Sequence, residues 1–299
     1  MDKIKPSFFE KEIRCDFLVD EKRKKVWVVE LEMLAKFDQV CREYNLTYFV
    51  FYGTLLGAAR HQGFIPWDDD IDVVLFRDDY ETFQAVAPWE FTEPYFFQNS
   101  YTDNMIWPFS KIRDSRTTGI EFRDMREFHQ GNFMDIFPLD SVVDGVNQQF
   151  GAVWEMERLL WDMVDNPQAV LARLRNDLVE GRRSVSDVQY LLEVSKLGIR
   201  ERFRVFEEFC RLHFGETGEL NYIMEGIRPT GYESVKREWF RDVVYLPFEH
   251  IMVPAPGEYD KILTRSYGNY HEYVTGGSAH GNIILDPDIP YREYFDKYL

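Results

Sequence analysis

The sequence predicts an α/β fold (of the α+β kind): a mixed β-sheet flanked by helices, with a helical insertion at 147–215 inside one domain spanning 1–299. Three observations predict it. Helical periodicity and short β-branched or aromatic runs alternate through the first 90 residues. An isolated apolar strand pattern returns at Gly131–Asp140, and a block rich in Arg, Glu and Leu follows it.

Taken in order, residues 22–44 carry Val28, Leu31, Leu34, Phe37, Val40 and Cys41 at spacings of three and four, the mark of an amphipathic helix. LTYFVFY then reads as a buried strand that ends at Gly53. Gly53-Thr54 opens a short helical segment, TLLGAAR, and Gly63 and Pro66 punctuate a loop. Asp70–Phe76, DIDVVLF, reads as a second strand, and Asp78-Asp79 begin another helix. Short strands are expected around Tyr95–Gln98, Phe109–Arg113 and Thr118–Phe122, and GNFMDIFPLD as a strand stopped by its proline. Helical pieces follow, broken near Asn166-Pro167 and at Gly181, and residues 216–299 read as loop-rich.

With 299 residues the chain can bury a substantial core. Its 35 Lys and Arg face 52 Asp and Glu, a net charge of −17. That field repels polyanions, which argues against a nucleic-acid binder. An anionic substrate then needs local help from a metal ion or a few placed cations. Cys15, Cys41 and Cys210 are scattered and odd in number, which argues for a reducing compartment and against a disulfide framework or zinc site. The start, MDKIKPSFFEKEIR, lacks the apolar core of a signal peptide. The nearly apolar run Tyr48–Ala59 is too short to span a bilayer, so the expected location is cytoplasmic.

The chemistry is concentrated in YGTLLGAARHQGFIPWDDDIDV. On a strand, Asp70 and Asp72 would share one face with Cα atoms about 6.5 to 7 Å apart. Two carboxylates so placed repel each other unless a cation lies between them, and a hard ion such as Mg²⁺ relieves that repulsion. Asp135, an isolated acid between apolar residues, is the candidate third ligand, since burial is costly for an unpaired carboxylate. A solvated acidic turn and a calcium loop are the plainer readings of Asp68–Asp72. An EF-hand is excluded, because Val73-Val74-Leu75-Phe76 follow where its loop would continue. Gly53-Thr54 at a strand-to-helix junction suits phosphate, as helix N-termini present free N–H groups and glycine permits close approach.

These residues resemble the LicD family of the nucleotidyltransferase superfamily, related to fukutin-type proteins. KIRDSRTTGIE (Lys111–Glu121), GNFMDIFPLD, PAPGEYDKILTRSYGNYHEY (Pro254–Tyr273) and DPDIPYREY (Asp286–Tyr294) share the resemblance. It implies a nucleotidyltransferase-like sheet and a transferase moving phosphocholine, or a related phospho-alcohol, from a CDP-linked donor such as CDP-choline. The acceptor it implies is a hydroxyl of a cell-surface glycan: lipopolysaccharide, teichoic acid or capsule. It also implies Mg²⁺ (or Mn²⁺) on Asp70, Asp72 and Asp135, with Gly53 and Thr54 at the donor phosphates. Arg60, Lys111 and Arg113 are the nearest cations for phosphate oxygens, with a surface role as the alternative for each. Trp67 and Trp107 are candidates for a choline or nucleotide pocket, with a core role as the alternative. His61 and His271 carry no assigned role, and His280–Asn282 is placed near the acceptor. Two rivals remain: nucleotidyl transfer from an NTP, and a non-catalytic glycan- or nucleotide-binding protein.

Overall fold

The structure is a computed structural model that describes residues 4–103, 105, 107–141, 166–222, 234–274, 276 and 283–299. It divides into two units. The first comprises Met1–Gln98, Phe109–Phe137 and Trp239–Leu299, and the second comprises Asn99–Pro108 and Pro138–Glu238.

The first unit begins with a hairpin of β1 (Glu12–Arg14) and β2 (Phe17–Val19). The long helix α1 (Glu21–Glu43) follows, its N-terminus capped by Asp20, whose carboxylate accepts from the Arg23 N–H at 2.8 Å. Strand β3 (Tyr48–Val50) leads into α2 (Tyr52–His61), then β4 (Asp72–Phe76) and α3 (Arg77–Glu90). β5 (Tyr95–Gln98), β6 (Ser110–Asp114), β7 (Thr118–Ile120) and the start of β8 (Asn132–Ser141) continue the chain. Within this unit the sheet runs β5-β6-β8-β4-β3. Its core takes up much of the aromatic content: Phe37 lies 5.0 Å from Phe83 and 4.9 Å from Tyr48, while Trp27 stacks on Phe64 at 4.8 Å. Each buried ring contributes about 1.5–3 kcal/mol.

The second unit holds the end of β8, then α4 (Pro167–Val179), α5 (Val185–Val194) and α6 (Ile199–His213). Strands β9 (Glu219–Tyr222) and β10 (Ser234–Lys236) complete it. The expected breaks are visible. Asn166 caps α4 with Pro167 in its first turn, and Gly181 takes a φ of 68° between α4 and α5. Val170, Leu174, Leu191 and Phe206 form the core of the three helices. The part of the expected insertion at 147–165 lies outside the described residues.

The mixed α/β class holds, while several boundaries differ. β8 does not stop at Pro138. It pairs with β6 through Ile136 and with β9 from Leu139, so the missing proline N–H falls between two ladders. The segment read as loop-rich carries the hairpin β11 (Val243–Phe248) and β12 (Ile251–Pro256), helices α7 (Tyr259–Tyr267) and α8 (Tyr291–Tyr298), and β13 (Ile284–Asp286). Pro247, Pro254 and Pro256 inside the hairpin hide its strand pattern. Among the described residues, no helix is long and apolar enough to cross a membrane.

Candidate active site

Asp70 precedes β4 rather than lying on it, so it does not alternate with Asp72 along one strand. The chain nevertheless brings the three expected carboxylates together. Ligand oxygens of Asp70, Asp72 and Asp135 lie within 4.8 Å of one another, and all three residues are buried, at 7%, 7% and 2% exposure. The backbone holds them there: the Asp135 N–H donates to the Ile71 carbonyl at 2.8 Å, which pins β8 against the residues entering β4.

Burial, then the charges of Asp70, Asp135 and Asp68, push the Asp72 carboxyl well above the usual carboxylate range, and Lys111 opposes this. The donor set fits a hard divalent ion: carboxylate oxygens within 4.8 Å of one another, carrying more negative charge than the single Lys111 ammonium beside Asp135 offsets.

Thr54 and Gly53 stand in the first turn of α2, whose N-cap Phe51 offers no side-chain acceptor. The Thr54 hydroxyl accepts the Asp72 N–H at 2.8 Å, and the Phe51 N–H donates to the Asp72 carbonyl at 3.0 Å. A Cβ at Gly53 would collide with a carboxylate oxygen of Asp68. The helix end that the sequence suggested for an anion thus has an acidic side chain beside it.

The expected cations fall in different places. Lys111 pairs directly with Asp135 across β6 and β8, its Nζ 3.0 and 3.2 Å from the two carboxylate oxygens and 3.1 Å from Glu121. Arg113 is fully buried. Its guanidinium donates to Gln98, to Glu121 and to the carbonyl of Gly131 at 2.9 Å, above the ring of Phe133. Arg60 lies in the last turn of α2, about 10 Å along the helix from Gly53. It donates to the carbonyl of Tyr270 at 2.9 Å and to His61 at 3.0 Å. Burial, then Arg60 and Arg14, lower the His61 pKa to about 4, leaving that imidazole neutral at pH 7.

Trp67 is buried in the first unit near Phe17 and His61, with ring centroids 6.1 and 6.5 Å away. Trp107 is half-buried in the second unit. His271 is exposed, and His280–Asn282 lies outside the described residues.

One residue escaped the sequence reading. Glu30 on α1 is completely buried, and burial, followed by the charge of Asp70, raises its pKa well above the usual range. A signal existed: Trp27, Glu30, Leu34, Phe37 and Cys41 follow three-and-four spacing, which puts an acid inside the apolar stripe.

Residues 45–154 match the family described as LicD/FKTN/FKRP, nucleotidyltransferase domain. This segment is a LicD-family domain. All three clustered aspartates, Gly53 and Thr54 lie within it. The chain is 26% identical over 255 residues to the lipopolysaccharide cholinephosphotransferase LicD of Haemophilus influenzae, covering 81% of this chain and 89% of that protein. A 116-residue stretch is 28% identical to the ribitol 5-phosphate transferase FKRP of Mus musculus, 32% of this chain and 24% of the mouse protein. A shorter stretch of 44 residues is 50% identical to an uncharacterized protein of Rickettsia typhi, 15% of this chain and 14% of that one. The LicD domain therefore carries the whole carboxylate cluster, and Glu30 lies just before it.

Proposed function

We propose that this protein is a divalent-metal-dependent phosphotransferase that moves phosphocholine, or a related phospho-alcohol, from a CDP-linked donor to a glycan hydroxyl. The observation that carries the reading is the convergence of Asp70, Asp72 and Asp135 inside the LicD domain. Similarity to a cholinephosphotransferase over most of both chains supports the transferred group.

Mg²⁺ or Mn²⁺ bound by the three aspartates would neutralise the donor diphosphate and lower the pKa of the attacking hydroxyl. The acceptor oxygen attacks the β-phosphorus in line, and the bond to the bridging oxygen breaks as CMP leaves. Asp135 accepts the hydroxyl proton, while Lys111 holds that carboxylate in place from the neighbouring strand. With a bound cation offsetting the Asp68 carboxylate beside Gly53, the backbone N–H groups of Gly53 and Thr54 in the first turn of α2 would meet the donor phosphates. Such transfer depends on positioning and charge neutralisation more than on covalent catalysis. Acceptors linked to lipid would be met by contact at the membrane surface.

The deciding experiment incubates the protein with CDP-choline, CDP-ethanolamine or CDP-ribitol, a glycan acceptor and Mg²⁺, and assays CMP. Parallel reactions with ATP or CTP are assayed for pyrophosphate. CMP release that stops in EDTA is expected. Pyrophosphate without CMP would replace the reading by nucleotidyl transfer, and neither product would leave a binding protein.

A further inference from the structure

Lys111 and Arg113 stand two residues apart on β6, so their side chains leave the same face of the sheet. In register with them on β8 are Asp135 and Phe133, and both cations lie over the Phe133 ring, at 3.7 and 4.8 Å from its centroid. Both are buried. Two like charges held this close in the core repel each other and call for a second carboxylate besides Asp135.

Glu121, directly after β7, supplies it. Its Oε1 accepts from the Lys111 ammonium at 3.1 Å, and its Oε2 accepts from the Arg113 guanidinium. The fully buried Gln130 fixes the backbone there: its side-chain oxygen accepts the N–H groups of Glu121 and Phe122, at 3.0 and 2.8 Å, and its amide donates to the carbonyls of Phe122 and Met125. The result is a row of alternating charge, Asp135, Lys111, Glu121 and Arg113, that ends on Gln98 and the Gly131 carbonyl. Two carboxylates balance two cations.

An ammonium has three donors, and Lys111 divides them between Asp135 and Glu121. Without the Glu121 charge, the row would hold one uncompensated positive charge beside Asp135. That charge would oppose a divalent cation on the same carboxylate.

We propose that Glu121 is a positioning residue of the metal site, acting through Lys111. It shares the ammonium with Asp135, fixes where that ammonium sits, and so leaves the Asp135 carboxylate available to a divalent cation. This role rests on the metal part of the function proposed above and on no particular donor or acceptor.

Mn²⁺ titration of the full chain, first stripped with EDTA and followed by electron paramagnetic resonance, tests it with neither substrate present. Glu121→Gln keeps the length of the side chain and removes its charge, and it should weaken Mn²⁺ binding about 10–100-fold. The same change made on Lys111→Met should cost much less, since the ammonium that carries the effect is gone. Circular-dichroism melts identify the folded variants. If Lys111→Met does not fold, Glu121→Gln alone decides. If Glu121→Gln does not fold, Glu121→Asp decides: its carboxylate, drawn back by one methylene, should bind Mn²⁺ more weakly than the wild type. Wild-type affinity on the deciding variant would overturn the proposal, as would an equal loss with and without Lys111. A wild type that binds no Mn²⁺ would sink this role and the metal reading together. Normal Mn²⁺ binding without CMP release from any CDP-alcohol would sink the proposed function, with Glu121 still judged on its own variants.

Discussion

The Thr54 hydroxyl accepts the backbone N–H of Asp72 at 2.8 Å, joining the first turn of α2 to the first residue of β4. One side chain thus registers the helix end beside Asp68 with a strand that carries a member of the carboxylate cluster.

Thr54→Val keeps the shape and removes the acceptor, leaving the Asp72 N–H without its partner. The expected loss of unfolding free energy is about 1–3 kcal/mol. Urea denaturation measures it. Thr54→Ser, which restores the hydroxyl, should recover most of the stability; a serine variant no better than valine would refute this role.

Gly53→Ala puts a methyl group against the Asp68 carboxylate. Displacing that side chain should cost about 1–3 kcal/mol. CMP release should fall with it, because Asp68 adjoins Asp69 and Asp70. Alanine at wild-type stability and rate would show that the close approach is not required.

The carboxyls of Asp72 and Glu30 lie well above their usual range in the folded, metal-free protein. A raised carboxylate binds more protons folded than unfolded once pH exceeds about 4, so its contribution to stability falls as pH rises toward the folded pKa. In EDTA the melting temperature should therefore decline across this range relative to the same protein in Mg²⁺. His61 and His129, lowered to about 4 and about 3, impose the opposite slope between those values and their ordinary range, equally with and without metal. The difference between the EDTA and Mg²⁺ curves isolates the carboxylates. Asp72→Asn should flatten that difference and abolish turnover while keeping the fold; an unchanged difference would show that Asp72 does not contribute.

Arg113→Lys retains the charge but not the planar fork that reaches Gln98, Glu121 and Gly131 together. A loss of about 1–3 kcal/mol is expected with little change in KM for the donor. A raised KM at full stability would put the guanidinium on the phosphates, as its position in KIRDSRTTGIE suggests.

Much of the first unit was legible because its signals are local. Three-and-four spacing outlined α1, Gly53-Thr54 and Asp78-Asp79 marked the starts of α2 and α3, and short apolar runs gave β4 and β8, all of them properties of neighbours in sequence. Asp135 was legible as an acid between apolar residues, where burial is costly for an unpaired carboxylate, while Asp70 and Asp72 were paired on an expected strand face that Asp70, preceding β4, does not share. The prolines of β11–β12 defeated the same approach, because their cost depends on which N–H groups the ladder needs.

By itself, then, the sequence determined the α/β class and singled out Asp70, Asp72 and Asp135. Tertiary structure alone decided what surrounds them. That Lys111 pairs with Asp135 follows from the register of β6 against β8, and a slip of one residue would turn the lysine to the other face. That Glu30 accepts from the Asn132 amide at the start of β8 follows from how α1 packs within the first unit. Both relations join residues far apart in the chain, 24 positions in the first case. They exist only once burial has fixed which faces meet, which no local pattern of residue types records.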